Sequence, residues 1–410
     1  MNPWLVLILL ILVAGYLLDC LVSLLNLRAL SPELPQEFRG VFDDTEYARS
    51  QSYTRVRTKF SLVSSTASTI CTLAFLLLGG FNFVDIFVRS FDFGPVTTGL
   101  IFTGVLMLLT SLLGLPFSIY STFVIEERFG FNRTTLSTFV LDMCKAALLA
   151  VILGGPILAL ILWFFEKTGD NAWLFCWLAV VLFSILVQFL APVLIFPLFN
   201  KFFPLEEGEL KKRIMAYAEK ERFQIQGVFT MDGSKRSTKL NAFFTGFGRF
   251  RKIVFYDTLI EKLTTEEIVA VLAHEMGHFK CRHILKMLAA SILQTGIMFY
   301  LLSLLLNNSE MFAALGMEHV SVYASLFFFG FLYTPVNTVV SILFHYLSRK
   351  HEYEADAYAV ASTGDAESLV SGLKSLSQAN LSNLTPHPVT VFLEYTHPPV
   401  LQRIEAIRKL

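Results

Sequence analysis

Seven apolar segments, each long enough to cross a lipid bilayer as a helix, constrain the fold of this chain most strongly. A spanning helix needs about 20 apolar residues, and 54% of the 410 residues are hydrophobic while 16% are charged. The segments lie at Pro3–Leu27 and at about 61–88, 98–125, 137–165, 173–200, 284–307 and 319–346. The first lacks the basic start and small-residue cleavage site of a signal peptide, so we interpret it as a retained helix. The sequence therefore predicts an α-helical integral membrane protein with seven transmembrane helices.

Loops rich in Lys and Arg alternate with loops poor in them along the chain, as the positive-inside rule requires. The second loop carries only Arg89, the third Arg128 and Arg133, the fourth only Lys167, and the loop at 308–318 none. The first loop carries Arg28, Arg39, Arg49, Arg55, Arg57 and Lys59. The long polar segment after the fifth helix and the C-terminal tail are also basic. We therefore predict an outward N-terminus, with the polar segment and the tail on the cytoplasmic side.

Four regions follow from this division of the chain. Residues 1–200 hold the first five transmembrane helices, 201–283 a polar domain, 284–346 the last two transmembrane helices, and 347–410 a second polar part. The formal net charge is zero, which gives no reason to expect a nucleic-acid partner. The lipid bilayer is the partner that composition predicts, and the sequence leaves the oligomeric state and the host membrane open.

The polar domain contains a candidate zinc site. His274, Glu275 and His278 match the pattern H-E-x-x-H, and residues four apart lie on one helix face, so both imidazoles can reach one Zn²⁺. Glu275, the next residue along, can act on the water that such a metal activates. Thr264 and Glu267 fit a capping box at the start of this helix. The alternative is a surface helix with two solvated histidines.

A catalytic zinc takes three protein ligands, so a third ligand must come from elsewhere. The last two apolar segments form a hairpin that returns the chain to the zinc side just before Glu352 and Asp356. We predict Glu352 as the third ligand and Asp356 as an acceptor that orients a ligand imidazole. His351 is the rival ligand, and we interpret Glu354 as a solvated acid on the same helix.

These motifs occur in an order that resembles a known family. Besides HEMGH at 274–278 and EYEAD at 352–356, the chain contains three further motifs: FGFNRTT at 129–135, KRSTKLNAFFTG at 235–246 and HPPVLQRI at 397–404. Together with the seven helices they are similar to the integral membrane zinc metalloproteases of the CAAX prenyl protease type I family. The resemblance implies a gluzincin-like zinc protease domain, mostly helical with a small β-sheet or hairpin.

The resemblance also implies an activity: a zinc endopeptidase that removes the last three residues after the prenylated cysteine of a CAAX peptide or protein. Glu275 would be the general base. His397 would stabilise the oxyanion, with Arg403 as its structural or electrostatic partner. From the residues alone, His397 could equally be a structural histidine, and His387 is its weaker rival.

The residues around Asn241 predict two strands joined by a glycine-containing turn, AFFTGFGRFRKIVFYD. An edge strand there could pair with an extended peptide substrate, and Asn241 could donate to the substrate or to backbone. The alternative is an ordinary hairpin packed on the zinc helix.

Two other functions are compatible with these motifs. One is broad quality control of membrane proteins, as in bacterial zinc proteases that resemble this chain at the zinc motif but have fewer spans. The other is a transporter or channel with a structural zinc. Glu275 argues against the latter, because a structural site needs no general base and normally closes its fourth position.

Overall fold

The computed structural model describes residues 2–245, 252–306 and 308–410. Most of them are helical. In the first half the α-helices are α1 Pro3–Arg28, α2 Asp44–Leu77, α3 Gly80–Arg89, α4 Pro95–Tyr120, α5 Leu136–Leu149, α6 Gly155–Lys167, α7 Ala172–Leu190 and α8 Phe196–Phe199. In the second half they are α9 Glu209–Lys220, α10 Asp257–Lys262, α11 Thr265–Lys280, α12 His283–Leu305, α13 Ser309–Ala314, α14 Val322–Thr363, α15 Ala366–Ala379, α16 Pro388–Glu394 and α17 Val400–Ile407. Short 3₁₀ turns lie at Gln36–Phe38, Gly169–Asn171 and Gly233–Lys235.

Among these described residues, seven helical spans are long and apolar enough to cross a membrane, which confirms the predicted fold class. Their bounds are Pro3–Arg28, Asp44–Leu77, Pro95–Glu126, Leu136–Lys167, Gly169–Phe199, His283–Leu305 and Val322–Thr363. Three of them contain a π-helical turn, at Ser121–Glu126, Ala150–Gly154 and Ala191–Ile195. Large apolar side chains such as Val151 and Leu182 are about two-thirds exposed. Contact with lipid explains a surface this apolar.

The second span begins and ends earlier than the sequence predicted. Helix α2 starts at Asp44 within the polar stretch and stops at Leu77, whereas 61–88 was predicted. Gly79 has a left-handed backbone (φ 74°), which ends the helix, and α3 begins afresh at Gly80. The buried face of α3 carries Asp85, whose carboxylate accepts from Arg89 and Tyr323. Residues 80–89 are therefore a short separate helix.

A small four-stranded sheet lies in the polar domain, with strands β1 Phe202–Pro204, β2 Gly227–Met231, β3 Ala242–Thr245 and β4 Lys252–Tyr256. The order is β1-β2-β4-β3, with β2 and β4 parallel and the other two pairs antiparallel. The two predicted strands around Asn241 are β3 and β4, and β3 is an edge strand, as expected. The turn between them lies outside the described residues.

One hydrophobic core joins the two polar regions of the chain. It contains Ile253 and Phe255 of β4, Ile268 of α11, Leu369 of α15 and Ile404 of α17, all at most 1% exposed. Residues of the first loop pack into the same core. Helix α14 runs unbroken through residue 347, where the sequence predicted a region boundary. The last span and the segment with Glu352 are thus one continuous helix.

The connections between spans lie on two opposite sides, as alternating spans require. On one side, Asn2 donates to the backbone oxygen of Glu310 (3.0 Å), and Asn82 donates to Glu318 (3.2 Å). On the other side, Arg236 of the polar domain donates twice to Asp142 near the start of the fourth span (2.7 and 2.9 Å). The N-terminus therefore lies opposite the polar domain.

Candidate metal centre

The helix that carries the H-E-x-x-H pattern starts as its sequence predicts. The Thr264 hydroxyl accepts from the Glu267 backbone N–H (3.3 Å), and the Glu267 carboxylate accepts from the Thr264 N–H (2.8 Å), so the capping box is complete. Glu267 also accepts from two serines of α15, Ser371 (2.6 Å) and Ser375 (3.0 Å). These bonds fix the start of α11 against the core.

Helix α11 crosses α14 at very close range, and this crossing determines which acid reaches the histidines. A Cβ added to Gly277 would lie 2.9 Å from Ala355 Cα and 3.0 Å from the Ala355 carbonyl oxygen. A glycine therefore faces an alanine where the two backbones meet. Glu352, one turn before Ala355, comes to lie beside His274 and His278.

His274, His278 and Glu352 offer one atom each within 4.8 Å of one another, and they fit a zinc ion. The two Nε2 atoms are 3.2 Å apart, and Glu352 oxygens lie 3.2 Å from His278 Nε2 and 3.5 Å from His274 Nε2. Bonds of 2.0–2.1 Å in a tetrahedral zinc site separate ligand atoms by about 3.3 Å. The buried Glu352 Oε2 accepts no hydrogen bond, although Arg403 Nη1 lies 3.1 Å away.

Asp356 and Arg403 lie behind the ligand atoms, where the structure brings them together. Asp356 Oδ1 is 2.8 Å from His274 Nδ1, so this carboxylate accepts a hydrogen bond from the N–H of the ring nitrogen that faces away from the candidate metal. Arg403 donates to both Asp356 oxygens (2.9 and 2.6 Å). All three side chains are at least nine-tenths buried. One guanidinium thus lies within 3.1 Å of both carboxylates, Asp356 and Glu352.

These neighbours also set the charge of His274. Burial and Arg403 lower the pKa of His274, but the hydrogen bond to Asp356 and the nearby carboxylate of Glu352 raise it to about 9. Burial likewise lowers the pKa of Arg403, and Asp356 raises it above its usual value. A metal displaces the proton from a ligand imidazole. Metal affinity at this centre is therefore expected to fall as the pH falls.

Glu275 and His278 line a cavity of about 530 Å³. Phe243, Phe244 and Thr245 of the edge strand β3 line the same cavity. Asn241, just before that strand, is exposed, and its side-chain oxygen accepts from the Ala242 N–H (2.9 Å). The Glu275 carboxylate and the edge strand β3 thus line the same cavity, beside the candidate ligand atoms.

The other three histidines considered in the sequence analysis lie at different distances from the candidate ligand atoms and have different contacts. His397 Nε2 is 3.4 Å from Glu352 Oε1, and its side chain is 64% exposed, so it stands at the rim of the centre. His387 instead caps α16, where its Nδ1 accepts from the Val389 N–H (3.2 Å). His351 points away from the ligand atoms and stacks on His283, with ring centroids 4.0 Å apart.

Sequence reasoning missed one residue that contacts a candidate ligand, His283. His283 Nδ1 is 3.0 Å from His278 Nδ1, and His283 Nε2 is 2.9 Å from Glu354 Oε2. Glu354, interpreted as a solvated acid, has a side chain that is 34% exposed and also contacts His283. The available signal was a third histidine five residues after His278, just past the end of α11, followed by an additional acid beside Glu352.

With the geometry established, the chain can be compared with known proteins. Residues 23–201 match the family model described as CAAX prenyl protease N-terminal, five membrane helices, and residues 204–410 match the model of peptidase family M48. The chain is 35% identical over 405 residues to CAAX prenyl protease 1 of Saccharomyces cerevisiae, covering 92% of this chain and 88% of the relative. The chain belongs to the CAAX prenyl protease type I family. It is also 34% identical over 401 residues to the family member of Arabidopsis thaliana, covering 96% and 94%.

A solved structure of a family member supports the same assignment. The crystal structure of Ste24p from S. mikatae superposes with a TM-score of 0.95 at 33% identity, covering 99% of both chains. The predicted family is thereby confirmed, and the chain is a multi-pass membrane metallopeptidase of family M48. The match to a peptidase family argues against the alternative of a transporter or channel with a structural metal.

Proposed function

We propose that this chain is a zinc endopeptidase that cleaves prenylated CAAX proteins near their C-terminus and releases the terminal tripeptide. One observation carries the proposal: His274, His278 and Glu352 converge within 4.8 Å beside a cavity lined by Glu275. They do so in a chain whose relatives are named CAAX prenyl protease 1. Two imidazoles and one carboxylate are a ligand set that leaves a zinc ion one open position.

Glu275 is the general base in this proposal. When bound, zinc polarises the scissile carbonyl and lowers the pKa of water. Glu275 takes the proton of the attacking water and passes it to the leaving amine. Its position on the cavity wall next to His278 supports this role, because the substrate must enter the same space. His274 and His278 remain neutral ligands, each with its Nδ1 proton held by a neighbour.

His397 and Arg403 have separate roles in the proposed reaction. His397 is largely exposed at the rim, where an imidazole N–H can donate to the oxyanion that develops on the carbonyl. Arg403 is buried and donates to Asp356 (2.9 Å). We therefore assign Arg403 to holding the two carboxylates of α14, and His397 to contact with the substrate.

The edge strand β3 is the proposed binding site for the peptide backbone. Among the described strands, β3 pairs only with β4, and Phe243, Phe244 and Thr245 line the cavity beside Glu275. An extended peptide that pairs with this edge would lie across the general base. Asn241, exposed at the start of the strand, is a candidate donor to that peptide.

The polar domain is proposed to face the cytoplasm, because the basic loops all lie on its side of the membrane. Arg39 in the first loop, Arg133 in the third and Lys235 in the polar domain are examples. The bridge between Asn132 and Ser237 supports a common side for the third loop and the polar domain. A prenylated protein anchored to the inner leaflet would then have direct access.

Cleavage of a farnesylated CAAX peptide by the purified protein tests this function. Mass spectrometry should find the released tripeptide with wild type, and Glu275→Gln should retain about one zinc per chain but lose hydrolysis by several orders of magnitude, because an amide cannot accept the proton. Near-normal turnover by zinc-loaded Glu275→Gln would remove Glu275 from the mechanism. Equal cleavage of an unprenylated control peptide would instead favour broad proteolysis of membrane proteins.

A further inference from the structure

His283 lies between a candidate zinc ligand and a carboxylate. Its Nδ1 is 3.0 Å from Nδ1 of His278, and its Nε2 is 2.9 Å from Oε2 of Glu354. His283 is 3% exposed, whereas the Glu354 side chain is 34% exposed. The three side chains therefore form a continuous chain of hydrogen bonds from the metal centre towards solvent.

The direction of these bonds follows from the ligand role of His278. His278 Nε2 faces Glu352 and His274, so its lone pair points at the metal and the ring proton resides on Nδ1. That Nδ1–H donates to Nδ1 of His283. His283 then carries its proton on Nε2, and this N–H donates a hydrogen bond to the ionised Glu354. The bond from His278 thus fixes the tautomer in which His283 donates to Glu354.

We propose that His283 and Glu354 are positioning residues that orient His278 for zinc, an inference that rests on the metal site proposed above. A zinc-bound imidazole that donates its other N–H to a carboxylate is held in one tautomer and is more basic. His274 has this arrangement directly, through Asp356 at 2.8 Å. His278 has it through an inserted imidazole. The two ligand histidines are thus each tied to a carboxylate of α14.

The turn between α11 and α12 places His283 under His278. Cys281 follows the last residue of α11, Arg282 has a left-handed backbone (φ 58°), and His283 is the first residue of α12. This reversal directs the His283 ring back towards the preceding helix. His351 of α14 stacks on it at an interplanar angle of 12°, which fixes the plane of the ring.

The neighbours of Glu354 also fit two alternative roles, a surface ion pair and a second metal site. Lys286 and Lys350 lie 3.6 and 3.8 Å from its carboxylate, so Glu354 could serve only as a surface ion pair of small energetic effect. Cys281, His283 and Glu354 offer atoms within 4.8 Å of one another, as a second metal site would. An ion pair depends on the lysines, a second metal site depends on Cys281, and the hydrogen-bond chain depends on neither.

Zinc affinity of the full-length protein in detergent, measured by competition with a chromophoric chelator, tests the proposal. His283→Phe keeps a ring to stack on His351 but has no ring nitrogen, and we expect about 10–100-fold weaker zinc binding. Glu354→Leu should weaken binding similarly, and Glu354→Gln less, because its amide oxygen can still accept from His283. The absorption bands of the cobalt-substituted protein should change in His283→Phe, reporting an altered ligand geometry.

Matched controls isolate the hydrogen-bond chain. Lys286→Met and Lys350→Met remove the ion pairs of Glu354 but leave the chain of bonds, so zinc affinity should stay within about twofold of wild type. Thermal unfolding and a monodisperse elution profile establish that each variant folds. Weakening by the lysine variants as large as that of His283→Phe would overturn the proposal in favour of a purely structural ion pair.

Three further outcomes have fixed meanings. Wild-type zinc affinity and an unchanged cobalt spectrum in folded His283→Phe would overturn this proposal alone. Two zinc ions per wild-type chain, with the second lost in Cys281→Ser, would also overturn it and assign His283 to a separate metal site. A wild-type chain that binds no zinc would overturn the proposed metal site itself, and this inference with it.

Discussion

Two carboxylates one helical turn apart on α14 have different chemical tasks. Glu352 places Oε2 3.5 Å from His274 Nε2 and Oε1 3.2 Å from His278 Nε2, whereas both oxygens of Asp356 are engaged by His274 and Arg403. They are 3% and 1% exposed. Buried charges are costly without partners. Arg403, which lies within 3.1 Å of both, makes it possible to bury two acids beside a metal centre.

Substitution of the two acids should separate their roles. Glu352→Ala removes one of three ligands, and we expect zinc binding to weaken by more than about 100-fold with loss of peptide cleavage. Asp356→Ala removes only an orienting acceptor, and zinc binding or activity should fall by about 10–100-fold. Zinc content and chelator competition on the same preparations measure both.

The exposed Glu405, paired with Lys409 at 2.5 Å, provides a matched control, because Glu405→Ala should leave zinc binding unchanged. Should Glu352→Ala bind zinc like wild type while His351→Ala loses it, His351 would be the third ligand instead.

At the scale of the elements, the crossing of α11 and α14 builds the candidate metal centre. One helix supplies His274 and His278, the other supplies Glu352, and Gly277 faces Ala355 between them. Helix α14 has 42 residues and begins as the last membrane span. The position of Glu352, the proposed third ligand, therefore depends on a helix that the membrane also holds.

Gly277→Ala should disturb this crossing. The new Cβ would meet backbone atoms of Ala355 at 2.9 and 3.0 Å, so the two helices must separate. Overpacking of this kind costs about 1–3 kcal/mol, and we expect a lower thermal unfolding midpoint together with weaker zinc binding. Gly114→Ala is the control, because nothing lies within 4 Å of its added Cβ, and alanine favours a helix. A wild-type midpoint and zinc affinity for Gly277→Ala would show that the crossing tolerates a side chain.

At the scale of the whole molecule, the spans separate two faces of unlike composition. The face with Asn2, Asn82 and Glu310 is poor in basic residues, whereas the polar domain and the first and third loops are rich in them. Contacts within each face are consistent with seven crossings. Which face is cytoplasmic is decided by membrane insertion rather than by packing.

Single cysteines introduced into a cysteine-free chain test the orientation. In sealed inside-out vesicles, an impermeant thiol reagent should label Met215→Cys, which is exposed on the polar domain, but not Glu310→Cys. Vesicles of the opposite orientation should give the reverse pattern. Labelling of residue 215 only from the non-cytoplasmic side would overturn the proposed topology.

Local features of the sequence were sufficient to predict much of this protein. The apolar segments predict seven spans because a bilayer requires about 20 apolar residues in a row. The capping box and the spacing of His274 and His278 predict α11 and its metal-binding face, since both depend on residues at most four apart. The prediction that Glu352 lies near these histidines follows from the hairpin of the last two spans, which returns the chain to their side of the membrane.

Contacts between distant residues were decided only by the tertiary structure. His278, His283 and Glu354 form one chain of hydrogen bonds because a left-handed Arg282 turns α12 back beneath α11. Arg403, 47 residues beyond Asp356, joins the acids because α17 packs into the same core. Such contacts depend on where helices cross, and the pattern of a single segment carries no information about its partner.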